Sequence, residues 1–177
     1  MKLLMPLADG FEEIEGLGVI SVLRGAKIDV DMVGVVGNVI TGGRGVRVIM
    51  DKSLKDVKVG DYDGIVVPGG TRGCINLGKS EKVKKMLLEF YEQGKLVAGI
   101  CAAPKVLAEA GVLKTKKATI YPGMEREIPY PRGDKIVIDG NVITSQGPGT
   151  VIDFALAIIE YLLGKPAADM NRKNLVA

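Results

Sequence analysis

Two short stretches constrain the fold more than anything else in this chain. GIVVP (residues 64–68) and KLVAGI (95–100) are apolar at nearly every position. A strand with no polar face has to be covered on both sides, which is the situation of a parallel sheet sandwiched between helices. KLLMPL (2–7) is a third run of the same kind, and KIDVDMVG (27–34) alternates as a strand should. Helical periods fall between them. Residues 11–25 place Phe11, Ile14, Leu17, Val19, Val22 and Leu23 on one face, and Gly25 ends the pattern. Residues 80–93 open with an N-cap serine, residues 102–110 stop at Gly111, and residues 149–163 stop before Gly164. Alternation of strand and helix predicts an α/β domain with a mostly parallel central sheet and helices on both faces.

Smaller elements complete the reading. Residues 38–50 predict two short strands around a glycine turn, and 117–120 a short strand. Residues 121–133 are irregular, with three prolines, and KIVI and NVITS form a hairpin around Asp139-Gly140. With 177 residues, the chain is long enough for one substantial core. We read one domain over 1–165 and a surface extension over 166–177.

Charge and composition exclude several functions. A net charge of +3 is too mild to imply nucleic acid, and the lysines read as a solvated face. No apolar run approaches the ~20 residues a membrane-spanning helix needs. The opening MKLLMP is too short for an export signal. With two cysteines, that predicts free thiols in a reducing cytoplasm. The chain contains no histidine. That removes Ser-His and Cys-His pairs, makes structural zinc improbable, and disfavours a Cys-His protease. No dinucleotide or Walker fingerprint is present, so no cofactor is expected.

In an open parallel sheet, ligands bind beyond the carboxyl ends of the strands. Three segments follow strands in this way: ADGFEEIE (8–15), PGGTRG (68–73) and GICAAP (99–104). Cys101 sits in a Gly-Ile-Cys-Ala-Ala stretch with the form of a strand-to-helix elbow, whose small residues let a nucleophile project. A helix N-terminus there would favour the thiolate; the competing reading is a buried structural cysteine. Gly69, Gly70 and Ala102 are candidate backbone donors for an oxyanion. Of the three acidic residues opening the first helix, Glu12 and Glu13 are explained by the helix dipole. Glu15 is expected to point inward, kept protonated by burial and by a neighbouring thiolate. Cys74 is either a resolving thiol or a small buried residue, and Gly147–Thr150 reads as a structural helix start. Arg44 is either an anion contact or part of a hairpin turn.

LADGFEEIE, VVPGG, GICAAP, TSQGPGT and FALAIIEYLLGK, spread over residues 3–165, resemble the ThiJ/PfpI family in its DJ-one-like branch. The resemblance implies a flavodoxin-like sandwich and a cytoplasmic homodimer. It implies a reactive Cys101, a partner Glu15 hydrogen-bonded to its sulfur, and backbone donors at Gly70 and Ala102. It implies glyoxalase or deglycase action on methylglyoxal or its adducts with proteins, or else redox sensing and chaperone-like protection. Tyr121 stands where the branch often has a pocket histidine.

Overall fold

The computed structural model describes residues 1–177. Its main sheet has seven strands: β1 (Lys2–Leu7), β2 (Asp29–Gly34), β5 (Lys52–Ser53), β6 (Gly64–Val67), β7 (Leu96–Ile100), β8 (Ile136–Asp139) and β9 (Val142–Ser145). Their order is β5-β2-β1-β6-β7-β9-β8, parallel except for the β8 edge. β3 (Val39–Thr41) and β4 (Arg47–Ile49) form a separate antiparallel hairpin. The apolar strands are two-sided, as expected. Leu4, Ile65, Val67 and Val97 enter a core cluster on one face, while Leu3, Met5, Val66, Ala98 and Ile100 enter another on the opposite face. This is the flavodoxin-like sandwich with a small hairpin.

The helices are α1 (Val19–Gly25), α2 (Thr71–Gly78), α3 (Glu81–Glu92), α4 (Ala103–Glu109), α5 (Val151–Leu163) and α6 (Lys165–Leu175). The Ser80 side chain caps α3 by accepting from the Val83 amide. A π-helical turn, Ile14–Gly18, leads into α1.

Two details differ from expectation. Residues 117–120 are not a strand: only Ala118 and Pro131 form a bridge, and the Thr119 amide is taken by the Thr144 side chain. PGGTRG is not wholly a turn, because α2 begins at Thr71. Gly73 serves packing there, since a Cβ on it would lie 2.7 Å from Phe11 Cα. The C-terminal extension is a helix on the surface, largely exposed, with Ala168 and Asn171 buried.

The chain order places β2 on one side of β1 and β6 on the other. The connections therefore diverge at β1/β6, the crevice in which such sheets take ligands. The segments after β1 and β6 meet there: the Glu12 amide donates to Gly69 O at 3.0 Å and the Gly73 amide to Gly10 O at 3.1 Å. β7 lies next to β6, which brings Cys101 to the same edge.

Candidate active site

Cys101 is the first of the two residues, Cys101 and Ala102, between β7 and α4, and has φ 63°. A non-glycine residue in the left-handed region is strained, and the strain is held by its neighbours. Its amide donates to Ser145 O at 2.9 Å, and its carbonyl accepts from the Tyr121 amide at 3.0 Å. The side chain is half-buried. This is the elbow expected from the sequence.

Glu15 comes from the π-helical turn and is completely buried. Its Oε2 accepts from the Gly69 amide at 2.9 Å. Its Oε1 is sealed from solvent without a well-aligned nitrogen or oxygen partner. The Cys101 thiol is the side chain that interacts with this carboxyl. The amides of Gly70 and Ala102 act on the Cys101 sulfur in the sense that favours its ionised form. Gly70, at φ 94°, needs to be glycine: a Cβ would lie 2.6 Å from the Glu12 amide nitrogen. At Gly69 a Cβ would collide with Glu15 Oε2 and lie 2.6 Å from Cys101 Cβ.

Two expectations need correcting. Gly69 is not an oxyanion donor, because its N–H is committed to Glu15. The Cys101 thiol is not lowered overall. Burial, then the Glu15 charge, push it up to about 12, and the amides of Gly70 and Ala102 act only partly against them. Glu15 itself is raised to about 7, chiefly by burial. The two groups titrate as a pair: one negative charge above about 7, and a second that like-charge repulsion defers.

Glu12 and Glu13 do more than face a helix dipole, and no local pattern of residues signals it. Glu12 Oε2 accepts from the Glu15 amide at 2.9 Å, and Glu12 Oε1 stands 3.7 Å from Arg44 Nε. Glu13 Oε1 accepts from the Arg44 amide at 2.7 Å. Arg44 is thus part of the hairpin turn and contacts a carboxylate, with its side chain largely exposed. Tyr121 reaches the elbow through its backbone, and its half-exposed ring packs beside Gly147.

Cys74 is buried in α2, its thiol donating to Pro68 O at 3.6 Å, and burial raises it far beyond the ordinary thiol range. That is the buried-residue reading, not a poised resolving thiol. Gly147–Thr150 is a structural helix start, with Thr150 Oγ1 donating to Gly147 O at 2.8 Å. No group of three or more Cys, Asp or Glu side chains is placed to hold a metal. No helix is long and apolar enough to cross a membrane.

Residues 1–161 match the DJ-1/PfpI family. The chain is 40% identical over 178 residues to protein dj-1beta of Drosophila melanogaster, covering 98% of this chain and 95% of that protein. It is 36% identical over 182 residues to the Parkinson disease protein 7 homolog of Danio rerio, covering 99% and 96%. It spans 38% of the length of DJ-1 homolog B of Arabidopsis thaliana, at 40% identity over 169 residues. Among solved structures, oxidised DJ-1 of Toxoplasma gondii superposes with a TM-score of 0.96 at 35% identity, covering 99% of this chain and 97% of that one.

Proposed function

The chain belongs to the DJ-1/PfpI family, and from that premise we propose that it is a cysteine-dependent glyoxalase or deglycase acting on reactive 2-oxoaldehydes or their adducts. The observation that carries this reading is the buried Glu15 carboxyl set against the Cys101 thiol, with the amides of Gly70 and Ala102 on the same sulfur.

The chemistry needs no cofactor. Ionised Glu15 takes the thiol proton as the sulfur adds to the aldehyde carbon, C1. Glu15 passes that proton on to the oxyanion, which is met by backbone amides, giving a hemithioacetal and leaving Glu15 ionised again. Glu15 then removes the proton on C1 and returns it to C2, while the hydroxyl proton on O1 passes to O2. The product is a thioester of a 2-hydroxy acid. C1 has been oxidised and C2 reduced, so no external electrons are required. Water cleaves the thioester, which releases the acid and restores the thiol. Because Glu15 must be ionised to begin, turnover rises with pH through about 7.

The test is lactate production from methylglyoxal by the purified protein. Loss of turnover by about a hundredfold or more in both Glu15→Gln and Cys101→Ser supports the reading. Full activity in Glu15→Gln overturns it.

A second reading is a redox sensor, favoured by the oxidised state in which the Toxoplasma gondii relative was solved and by Cys101 being the more exposed of the two cysteines. Two equivalents of peroxide would convert the Cys101 thiol to a sulfinic acid and release two waters. Intact-mass spectra should then show two added oxygens on Cys101; preferential oxidation of Cys74 contradicts it. A second copy of the chain is the partner we propose, because Val39 and Ile49 pair across the hairpin and both stand exposed. We assign the protein to a reducing cytoplasm, which fits its two free thiols.

A further inference from the structure

The elbow is gripped by a pair of hydroxyls that the chemistry described so far does not use. β9 pairs with β7 as far as Ile100 and Ser145, and the Ser145 carbonyl then takes one bond more, from the Cys101 amide at 2.9 Å. Ser145 is completely buried, and its Oγ lies 2.6 Å from Thr150 Oγ1. Thr150, also buried, stands at the start of α5. The Gly147 amide donates to Thr150 Oγ1 at 3.2 Å, and Thr150 Oγ1 donates to Gly147 O at 2.8 Å. The Ser145 hydroxyl proton therefore fills the 2.6 Å bond, so that Thr150 Oγ1 accepts twice and donates once. Lys135 O, 3.2 Å from Ser145 Oγ, already holds the Gln146 amide at 3.1 Å. A buried hydroxyl network with its bonds made is rigid.

Three ties run from Thr150 to the two reacting groups. The first is the Ser145 carbonyl on the Cys101 amide. The second passes through Gly147, where a Cβ would lie 3.3 Å from Tyr121 Cδ2. Tyr121 packs there, and its amide donates to Cys101 O at 3.0 Å. The amide and the carbonyl of Cys101 are thus both held by neighbours of the hydroxyl pair. The third tie concerns Glu15. Val151, next after Thr150, packs on Gly18, where a Cβ would lie 3.0 Å from Val151 Cγ1. Gly18 closes the π-helical turn that carries Glu15. Thr150 stands between the element that carries the thiol and the element that carries the carboxyl, and its own hydroxyl bonds Ser145 and Gly147.

We propose that Thr150 is a positioning residue: its hydroxyl, through Ser145, Gly147 and the start of α5, sets the Cys101 thiol against the Glu15 carboxyl. The inference rests on Cys101 being the reactive thiol and not on the reaction it performs, so it stands beside either reading above. Left-handed backbone at a non-glycine residue persists where its surroundings over-determine it, and the φ of 63° at Cys101 is such a case. Without the Thr150 hydroxyl, the Ser145 hydroxyl and the Gly147 amide lose their partner in a buried place, and the end of β9 shifts to satisfy them. A misplacement of about 1 Å at a reacting pair costs about a hundredfold in rate.

The experiment compares wild type with Thr150→Val, which keeps the shape and loses the hydroxyl, and with Thr150→Ser, which keeps the hydroxyl. Neither substitution changes a charge, and the ionisable side chains acting on Glu15, Cys101 and Glu12, are the same in all three proteins. Alkylation of Cys101 by iodoacetamide is followed by peptide mass across neutral pH, with each protein shown by urea unfolding to be folded. The expected result is a wild-type rate that rises through about 7. In Thr150→Val the ratio of the rates above and below that point falls by about tenfold, and Thr150→Ser restores it. A Thr150→Val protein that unfolds in less urea but keeps the wild-type profile has lost only stability and overturns the proposal. A wild-type profile without the rise overturns it too. If Thr150→Val does not fold, Ser145→Ala cuts the same 2.6 Å bond from the other side; the lost rise is expected there, and a wild-type profile overturns the proposal.

Amide hydrogen exchange reads the same tie without a reagent. In Thr150→Val, exchange at the Cys101 and Tyr121 amides should speed up by about tenfold relative to the Val97 amide, which bonds Asn141 O at 2.9 Å at the far end of the strand pair. Equal acceleration at all three contradicts a local role. A protein that makes no lactate from methylglyoxal, but whose alkylation profile and exchange respond in this way, overturns the glyoxalase reading and leaves Thr150 its role. Lactate production with an unaltered profile in Thr150→Val does the reverse.

Discussion

Glu15 is the residue on which function and stability pull in opposite directions. Its ordinary value is 4.5 and its value in the fold is about 7, because the carboxylate has lost its water. The folded protein therefore binds this proton more tightly than the unfolded chain. The contribution to stability is complete below 4.5 and is lost as pH rises to about 7. The loss amounts to ~3 kcal/mol. Glu15→Gln carries no ionisable group. Its stability relative to wild type, measured by urea unfolding at a series of pH values, should climb by ~3 kcal/mol from pH 4.5 to 7 and then level off. A difference that does not change with pH would show that Glu15 is not desolvated. Cys101 adds a second local cost in its φ of 63°. Strain and desolvation at two neighbouring positions are the combination expected of a functional site.

At the scale of elements, the π-helical turn, the hairpin and the start of α2 form one braced unit. Glu13 is its keystone: Oε1 accepts from the Arg44 amide at 2.7 Å, so a carboxylate beside the site fixes a turn far away in sequence. Gly42 makes room for it, since a Cβ there would collide with Glu13 Oε1. Glu13→Ala should destabilise the protein by about 2 kcal/mol, the worth of a hydrogen bond to a charged group. Amide exchange at Arg44 should speed up with it, and Glu13→Gln, which keeps the oxygen, should restore most of the protection. Unchanged exchange at Arg44 in the alanine variant would remove Glu13 from this role.

How far these elements could be read from the sequence depends on the kind of signal each one needs. The buried strands were legible because an all-apolar run has one structural solution, and Ser80 marked the start of α3 because an N-cap acts within four residues. α2 was hidden by its glycines: Gly73 is required by the approach of Phe11, a contact distant in sequence. The strand expected at 117–120 failed for a similar reason, its amide at Thr119 being claimed by the distant Thr144 hydroxyl. The left-handed elbow at Cys101 was legible from the small residues around it, and the burial of Glu15 from its place on the helix face. The bond between the Gly69 amide and Glu15, and the work of Glu12 and Glu13, are tertiary and left no local trace.

Across the whole molecule, one sheet edge collects what the chemistry uses. The divergence of connections at β1/β6 opens a crevice, β6 supplies the glycine turn, and β7 supplies the thiol. The Glu15 carboxyl at that edge is completely buried. A chain without histidine obtains a group titrating near neutrality by burying a glutamate. The claim that Cys101 and Glu15 act as one proton-sharing pair is tested most directly by the rate of Cys101 alkylation with iodoacetamide as a function of pH, in wild type and in Glu15→Gln. The account predicts a wild-type rate that rises through about 7, and a variant in which that inflection is gone. The same profile in both proteins would contradict it.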